Sequence, residues 1–549
     1  MHALAATSIE SWSAGAMIGR NIGGCPLNAL SPTPEETGLV QSAARSVWLR
    51  CPPDQTDEKL KMSTNANPSP LKCAGRSAQL RLHKSGWLSA AGLAMAVAAA
   101  ACLSAPSTYA QSQPPPSLQP HFVPTEPANS PLGVAFGIKP GRVAWEFDPK
   151  ATSWDGLSVS PGWWDDSNTH PAVVDKMLAD VIMSVGDATN VRESWARIFT
   201  DFNNRKGRGN VGYTKGEKIV IKLNLNQVHD HGDGAKDSYI APQLVQALLG
   251  QLVEQVGAAP ADITFYDAIR HVPVTIFDRC TKLYPGVHFV DTTGTDGRGK
   301  AVPDLAKPLV LSRGGETFYF PTCVTQAQYM INFAGLKGHY LAGMTVCAKN
   351  HLGSFFKPDG TPGARDLHST IAVESSGGRR GPQTIQAMGS YNSLVDLNGH
   401  DQTGGKTILY LIDGLYATKH NEYRLDPSCK WTSAPFNNNW TSSLLASQDG
   451  VAIDSVALDF LRNEPTLSKI VAGPAVDNYL HEMAQANNPP SKTVYDPAKS
   501  GKPLASMGVH EHWNNAADKQ YSRNLGTGAG IELVAMKPAS APVVAVSNP

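Results

Sequence analysis

Between residues 217 and 463, short β-branched runs alternate with amphipathic segments, and this alternation leaves few folds open. "EKIVIKLNL" (217–225) has the composition of a buried strand. "SYIAPQLVQALLGQLVEQVGA" (238–258) has helical periodicity, with Pro242 suited to its first turn and Gly257 to its end. "DITFYD" (262–267) and "VHFVD" (287–291) are further strands, and "ETFYFP" (316–321) reads as an exposed or hairpin strand. "QYMINFAG" (328–335), "KTILYLIDGL" (406–415) and "SLLAS" (443–447) return to the core, and Asp449 opens a helix over 449–463. The expected fold is α/β, a mainly parallel sheet with helices on both faces. An N-terminal helical segment over 172–204 precedes it, and the polar, Pro-rich chain beyond about residue 480 is expected to be an irregular tail. Trp154, Trp163 and Trp164 read as packing residues before a ligand platform.

The first part of the chain has a different character. "RSAQLRLHK" (76–84) is basic, an Ala-rich apolar stretch follows, and "TYA" precedes Gln111. That is the layout of a signal peptide. A membrane anchor is the alternative, but the apolar run is short of the ~20 residues a span needs. Residues 1–61 lack periodicity, and Met62 opens a good basic leader, so translation is expected to begin at Met62. The product is then exported, periplasmic or secreted if the source is bacterial, with no stable membrane span after cleavage. Residues 111–131 are Pro/Ser/Gln-rich, as in a disordered linker.

Zero formal net charge argues against nucleic acid as a partner, which demands a basic surface. Beyond residue 110 four cysteines remain: Cys280, Cys323, Cys347 and Cys429. Four cysteines allow three pairings, and sequence does not choose among them. Their spacing fits no cysteine-based zinc or iron–sulfur site. No Gly-rich dinucleotide fingerprint or phosphate-binding loop is present, so neither NAD nor flavin is expected. A Gly-x-Ser-x-Gly elbow is also missing, which disfavours that class of serine hydrolase.

In open parallel sheets, ligands bind beyond the carboxyl ends of the strands. Polar residues follow nearly every strand here. Asn224, Asn226 and "HDHGDG" follow the first, and Asp267, Arg270 and His271 the second. Lys337 and His339 follow "MINFAG", Asp413 and Gly414 follow "ILYLI", and Asp449 follows "LLAS". "HDHGD" places His229 and His231 two apart, with Asp230 and Asp233 beside them, a set suited to a divalent metal such as zinc. His339 or His271 would complete it; the alternative is a solvated turn.

"LKGHYLAGMTVCAKNHLG" (336–353) concentrates the basic chemistry. Thr345 is placed to cap a helix running through "VCAKNHLGSFF", with Lys349 on the same face. A helix start beside lysine and threonine suits a carboxylate, phosphate or sulfate. His339 would then move a proton near the bound anion. His351 lies off that face and is the weakest member of the set.

These segments resemble the domain-of-unknown-function family 362. Its pattern is a strand ending Lys-x-Asn, an Asn-x-x-x-x-Lys-x-His segment followed by Lys-Asn, an Ile-x-Asp-Gly strand and Asp-x-Val-Ala-x-Asp. Lys222 and Asn224, Asn332, Lys337 and His339, Lys349 and Asn350, Asp413 and Gly414, and Asp449 and Asp454 take those positions. The family's usual Lys-Thr-His is Lys337-Gly338-His339 here. Many relatives carry an appended ferredoxin-type cysteine cluster, which this chain lacks, so the resemblance implies no iron–sulfur cluster. The resemblance covers roughly residues 215–465, between an N-terminal part of the α/β domain (132–214) and a C-terminal extension (466–549).

The expected function is an exported enzyme acting on a small anionic substrate, by acid–base or metal-assisted hydrolysis or by proton transfer. Lys222, Asn224, Lys337, Thr345, Lys349 and Asn350 would bind substrate. His339, Asp413 and Asp267 would be catalytic, and His229, His231 and Asp233 would hold any metal. A hydrolase or an isomerase would fit this toolkit. The competing reading is a non-catalytic ligand-binding protein of the cell envelope.

Overall fold

In the computed structural model the described residues are 126–536, apart from 227, 229–235, 364–365, 374–384, 421–422, 468–470, 472 and 474. The stretch expected to be a signal peptide and the expected metal ligands His229, His231 and Asp233 therefore lie outside them. The strands are β1 (Leu132–Gly133), β2 (Arg142–Phe147), β3 (Ile219–Leu223), β4 (Ile263–Tyr266), β5 (His288–Asp291), β6 (Gly299–Lys300), β7 (Pro303–Val310), β8 (Thr317–Pro321), β9 (Tyr329–His339), β10 (Gly343–Thr345), β11 (Thr407–Thr418), β12 (Ser443–Ser447), β13 (Val509–His510) and β14 (Glu532–Met536). The helices are α1 (Pro171–Gly186), α2 (Val191–Arg205), α3 (Pro242–Gln251), α4 (Val274–Leu283), α5 (Thr322–Thr325), α6 (Cys347–Asn350), α7 (Ser393–Gly399), α8 (Gly450–Asn463) and α9 (Asn478–Ala484).

A ten-stranded sheet organises the fold, in the order β14-β2-β12-β11-β9-β3-β4-β5-β6, with β10 folded back on β9. Along that path only β12 runs against its neighbours. The fold is thus α/β with a mostly parallel sheet. From β3 the chain moves to β4 and β5 on one side, whereas β9 and β11 lie on the other. The strand order reverses between β3 and β9, which is where open parallel sheets form a crevice.

Strand residues feed two separate cores. Val220 and Met330 pack with side chains from α7, α8 and α9. Ile219, Ile221, Tyr329 and Ile331 pack with side chains from α1 to α4. Alternation along β3 explains the split, because successive strand side chains point to opposite sides.

The helical run over 172–204 is two helices, not one. Asp187 is left-handed at φ 51° and stops α1. Asn190 restarts the chain by accepting from the Glu193 N–H at 2.9 Å, so α2 begins with its own cap. Thr317–Pro321 is the hairpin strand, paired antiparallel with β7. The C-terminal chain is not an irregular tail. It supplies α9, pairs β13 with β1, and adds β14 to the main sheet beside β2. Among the described residues no helix is long and apolar enough to cross a membrane.

Candidate functional site

The carboxyl ends of β3, β9 and β11 surround a cavity lined by Asn224, Lys337 and Asp413, with Trp163, Tyr239 and Tyr416 as aromatic walls. It measures about 290 Å³ with its mouth included. Its enclosed part has room for about one water molecule. Parallel register sets Gly335 of β9 beside Asp413 of β11, so Lys337 arrives two residues further along.

Asp413 is buried and accepts from the Ala241 N–H at 2.7 Å and the Leu415 N–H at 2.8 Å. Ala241 precedes α3, so Asp413 caps a helix that has no side-chain cap of its own. Burial pushes its carboxyl up to about 6, against those two hydrogen bonds and the charge of Lys337. Lys337 is pushed down to about 7, chiefly by burial, with the charges of Arg270 and Lys222 acting in the same direction. Asp267 and Asp413 oppose that shift. The cavity thus brings together an amine and a carboxyl group that both titrate close to neutrality.

A buried polar network runs from Lys222 on β3 to Asn332 on β9 and Asn350 on α6. Lys222 Nζ donates to Leu223 O at 2.6 Å, Asp267 Oδ2 at 3.0 Å and Asn350 Oδ1 at 3.1 Å. Three acceptors use all three protons of an ammonium group. Asn350 Nδ2 donates to Asn332 Oδ1 at 2.8 Å, and Asn332 Nδ2 donates to Cys347 O at 2.8 Å. Asn332 Nδ2 also lies 3.2 Å from His351 Nε2, which must therefore accept. The imidazole proton then sits on Nδ1 and reaches Ser354 Oγ at 3.1 Å. Burial, aided by Lys222, lowers the His351 pKa to about 3, so this histidine is a neutral structural member. Lys222, Asp267 and Asn350, expected to touch substrate or catalyse, are thus occupied with one another.

Other sequence candidates fall elsewhere. Thr345 is not the helix cap: Val346 takes that position, and Thr345 pairs with Lys337 across β10 and β9. The expected helix is one turn, α6, followed by a 3₁₀ turn. Its first amides are taken by Asp454, which accepts from Cys347 N and Ala348 N, each at 2.9 Å. A carboxylate of the protein thus already fills the place expected for an anion. Lys349 lines a second cavity, with Met344, Ile371, Val373 and Tyr479. Asp449 accepts from Val451 N, Ala452 N, Phe136 N and Val509 N, and so acts as an architectural cap.

His339 is buried, and its Nδ1 accepts from Leu341 N at 3.0 Å and Ala342 N at 3.2 Å. Its neutral form therefore carries the proton on Nε2, which suits a donor better than a base. His271 pairs with Asp291 at 2.9 Å, near the end of β5. The four cysteines are free thiols. Sequence reasoning passed over Trp163 and Tyr416 as cavity walls, because aromatic residues in a core pattern read as packing. It also undervalued Arg270, whose Nε is buried without a hydrogen bond.

No curated protein matches the chain. Residues 219–459, the stretch that carries Asn224, Lys337, Asp413 and the Lys222 network, match the model of the family described as a domain of unknown function, DUF362.

Proposed function

We propose that the Lys337–Asp413 cavity is an acid–base site for a small anion, a carboxylate, phosphate or sulfate, in an exported enzyme. One observation carries this reading: Lys337 and Asp413 line the same buried cavity at the reversal of strand order. Lys337, with its pKa near 7, is the group that moves a proton. Lys222 and Arg270 supply a positive field, and Asn224 offers an amide to the ligand. His339 serves as a donor through Nε2. Hydrolysis and proton transfer beside a carboxylate both fit these groups. The cavity is small by the standard of ligand sites, so any ligand beyond a few atoms enters by displacing a wall. The same reading takes the two cores as helix layers on both faces of the sheet.

Thermal-shift titration with phosphate, sulfate and small carboxylates tests the proposal. At least one anion should stabilise the wild-type protein and fail to stabilise Lys337→Met. Equal stabilisation of both proteins, or of neither by any anion, removes the reading.

A further inference from the structure

Away from the Lys337 cavity, the C-terminal chain brings three histidines and two acids together. Glu126 Oε1 lies 3.0 Å from His481 Nε2, 3.2 Å from His510 Nε2 and 3.3 Å from His512 Nε2. Asp477 Oδ2 lies 3.4 Å from His512 Nε2. One ligand atom each from Glu126, Asp477, His481 and His510 falls within 4.8 Å of the other three. In a tetrahedral zinc site with bonds of about 2.0–2.1 Å, neighbouring donor atoms stand about 3.3 Å apart.

Proton placement argues against a purely hydrogen-bonded cluster. Ser455 Oγ donates to Val451 O at 2.7 Å, within α8. Its oxygen, 2.8 Å from His510 Nδ1, must then accept from that nitrogen. A neutral His510 therefore turns the lone pair of Nε2 toward the carboxylate of Glu126, two acceptors facing each other at 3.2 Å. Asp477 Oδ1 is buried with no hydrogen-bond partner among the described residues, and His512 Nε2 faces Glu126 Oε1 at 3.3 Å and Asp477 Oδ2 at 3.4 Å without hydrogen-bond geometry to either. A cation between these atoms satisfies all of them.

The surroundings are those of a built site. His512 Nδ1 is 2.6 Å from Asp459 Oδ1, and Asp459 Oδ2 is fixed by Trp513 N at 3.0 Å and Tyr521 OH at 2.9 Å. A carboxylate behind a histidine is the usual means of orienting a metal ligand. Arg462 holds Asp477 Oδ2 at 3.0 Å. With three carboxylates and one guanidinium, a divalent ion brings the local charge to balance when the imidazoles are neutral.

We infer that His481, His510, Glu126 and Asp477 bind a divalent cation of the zinc class, with His512 within reach as a further ligand. Asp477, His481 and His510 are buried and Glu126 is partly buried, and four protein ligands with no open position are the pattern of structural zinc centres. The ion ties the segment before β1, helix α9 and strand β13 onto α8. Its residues are not those of the "HDHGD" stretch, and it does not depend on the function proposed for the Lys337 cavity.

Metal analysis of protein purified without an affinity tag, before and after dialysis against zinc, tests this. About one equivalent of zinc per chain is expected. Chelation should lower the melting temperature, because binding free energy to a folded site is folding free energy. Cobalt added to the stripped wild-type protein should give visible ligand-field absorption. Asp459→Asn, which leaves the four ligands in place, should weaken zinc binding about 10–100-fold. Less than about a tenth of an equivalent after zinc dialysis would overturn the assignment. So would zinc binding unchanged in both His510→Ala and Asp459→Asn, or a melting temperature that follows pH and ignores chelator and zinc.

Discussion

Lys222 Nζ sits 3.0 Å from Asp267 Oδ2, and both side chains are buried. Removing one partner strands a charge in a low-dielectric interior, at a cost of about 3–5 kcal/mol. Lys222→Met and Asp267→Asn should each lose that much in urea denaturation. The double variant Lys222→Met/Asp267→Leu should recover a large part of it. Single losses below about 1 kcal/mol would show that the pair does not behave as a desolvated ion pair.

Gly353 lies against this pair. A Cβ there would come 2.8 Å from Lys222 Nζ and 2.9 Å from Asp267 Oδ1. Neither atom can swing away without breaking its hydrogen bonds. Gly353→Ala should therefore destabilise by about 1–3 kcal/mol, and by less in a Lys222→Met background, where the crowded ammonium is gone. Equal losses in the two backgrounds would count against the contact.

Stability should depend on pH through the cavity. The Lys337 pKa falls from 10.5 to about 7, so between those values the unfolded chain holds a proton the folded chain has lost. Its contribution to stability thus rises with pH through that window. Asp413 acts in the opposite sense. Its pKa rises from 3.8 to about 6, and its contribution falls as pH rises between them. Lys337→Met should be more stable than wild type near about pH 6, by a few kcal/mol as an order of magnitude, with the gap closing toward about pH 10. A gap that does not change with pH would rule out the shifted lysine.

Asp454 accepts from Cys347 N, Ala348 N and Tyr479 OH, each at 2.9 Å. Asp454→Ala leaves three buried donors without a partner and should cost about 2–4 kcal/mol. Tyr479→Phe removes one donor together with its bond and should cost about 1 kcal/mol. Hydrogen exchange at the Cys347 and Ala348 amides should speed up in the first variant and stay near wild type in the second. Protected amides in Asp454→Ala would mean that another group caps α6.

Much of the main sheet is legible in the sequence, since β3, β4, β5 and β12 each lie within or coincide with an expected run and β11 begins in one and runs three residues past it. β2 and β14 are not, because short strands at the edge of the pattern gain their identity only by pairing with β12 and with each other. The site is legible in part. Asn224, Lys337 and Asp413 stand at or near the carboxyl ends of the runs expected from sequence, although β9 and β11 continue past Lys337 and Asp413, and the three share a cavity. Thr345 and Lys349 look equally basic or polar in sequence, but Thr345 sits in β10 opposite Lys337 without lining the cavity, and Lys349, on α6, lines the second one. The histidine cluster left a trace in "VHEHW", where His510 and His512 have the same i, i+2 spacing that drew attention to His229 and His231.

The sequence alone determined the order of strands and helices and the placing of polar groups at strand exits, because periodicity of 2 or 3.6 is a local property. Only the tertiary structure decided what those groups do. Lys222 and Lys337 are two lysines at two strand ends; one spends its three protons on buried acceptors, while the other lines a cavity and loses much of its basicity. Glu126 and His510 are 384 residues apart in the chain and 3.2 Å apart in space. Burial, hydrogen-bond partners and charge neighbours are set by such long-range contacts, and they decide protonation and ligand binding.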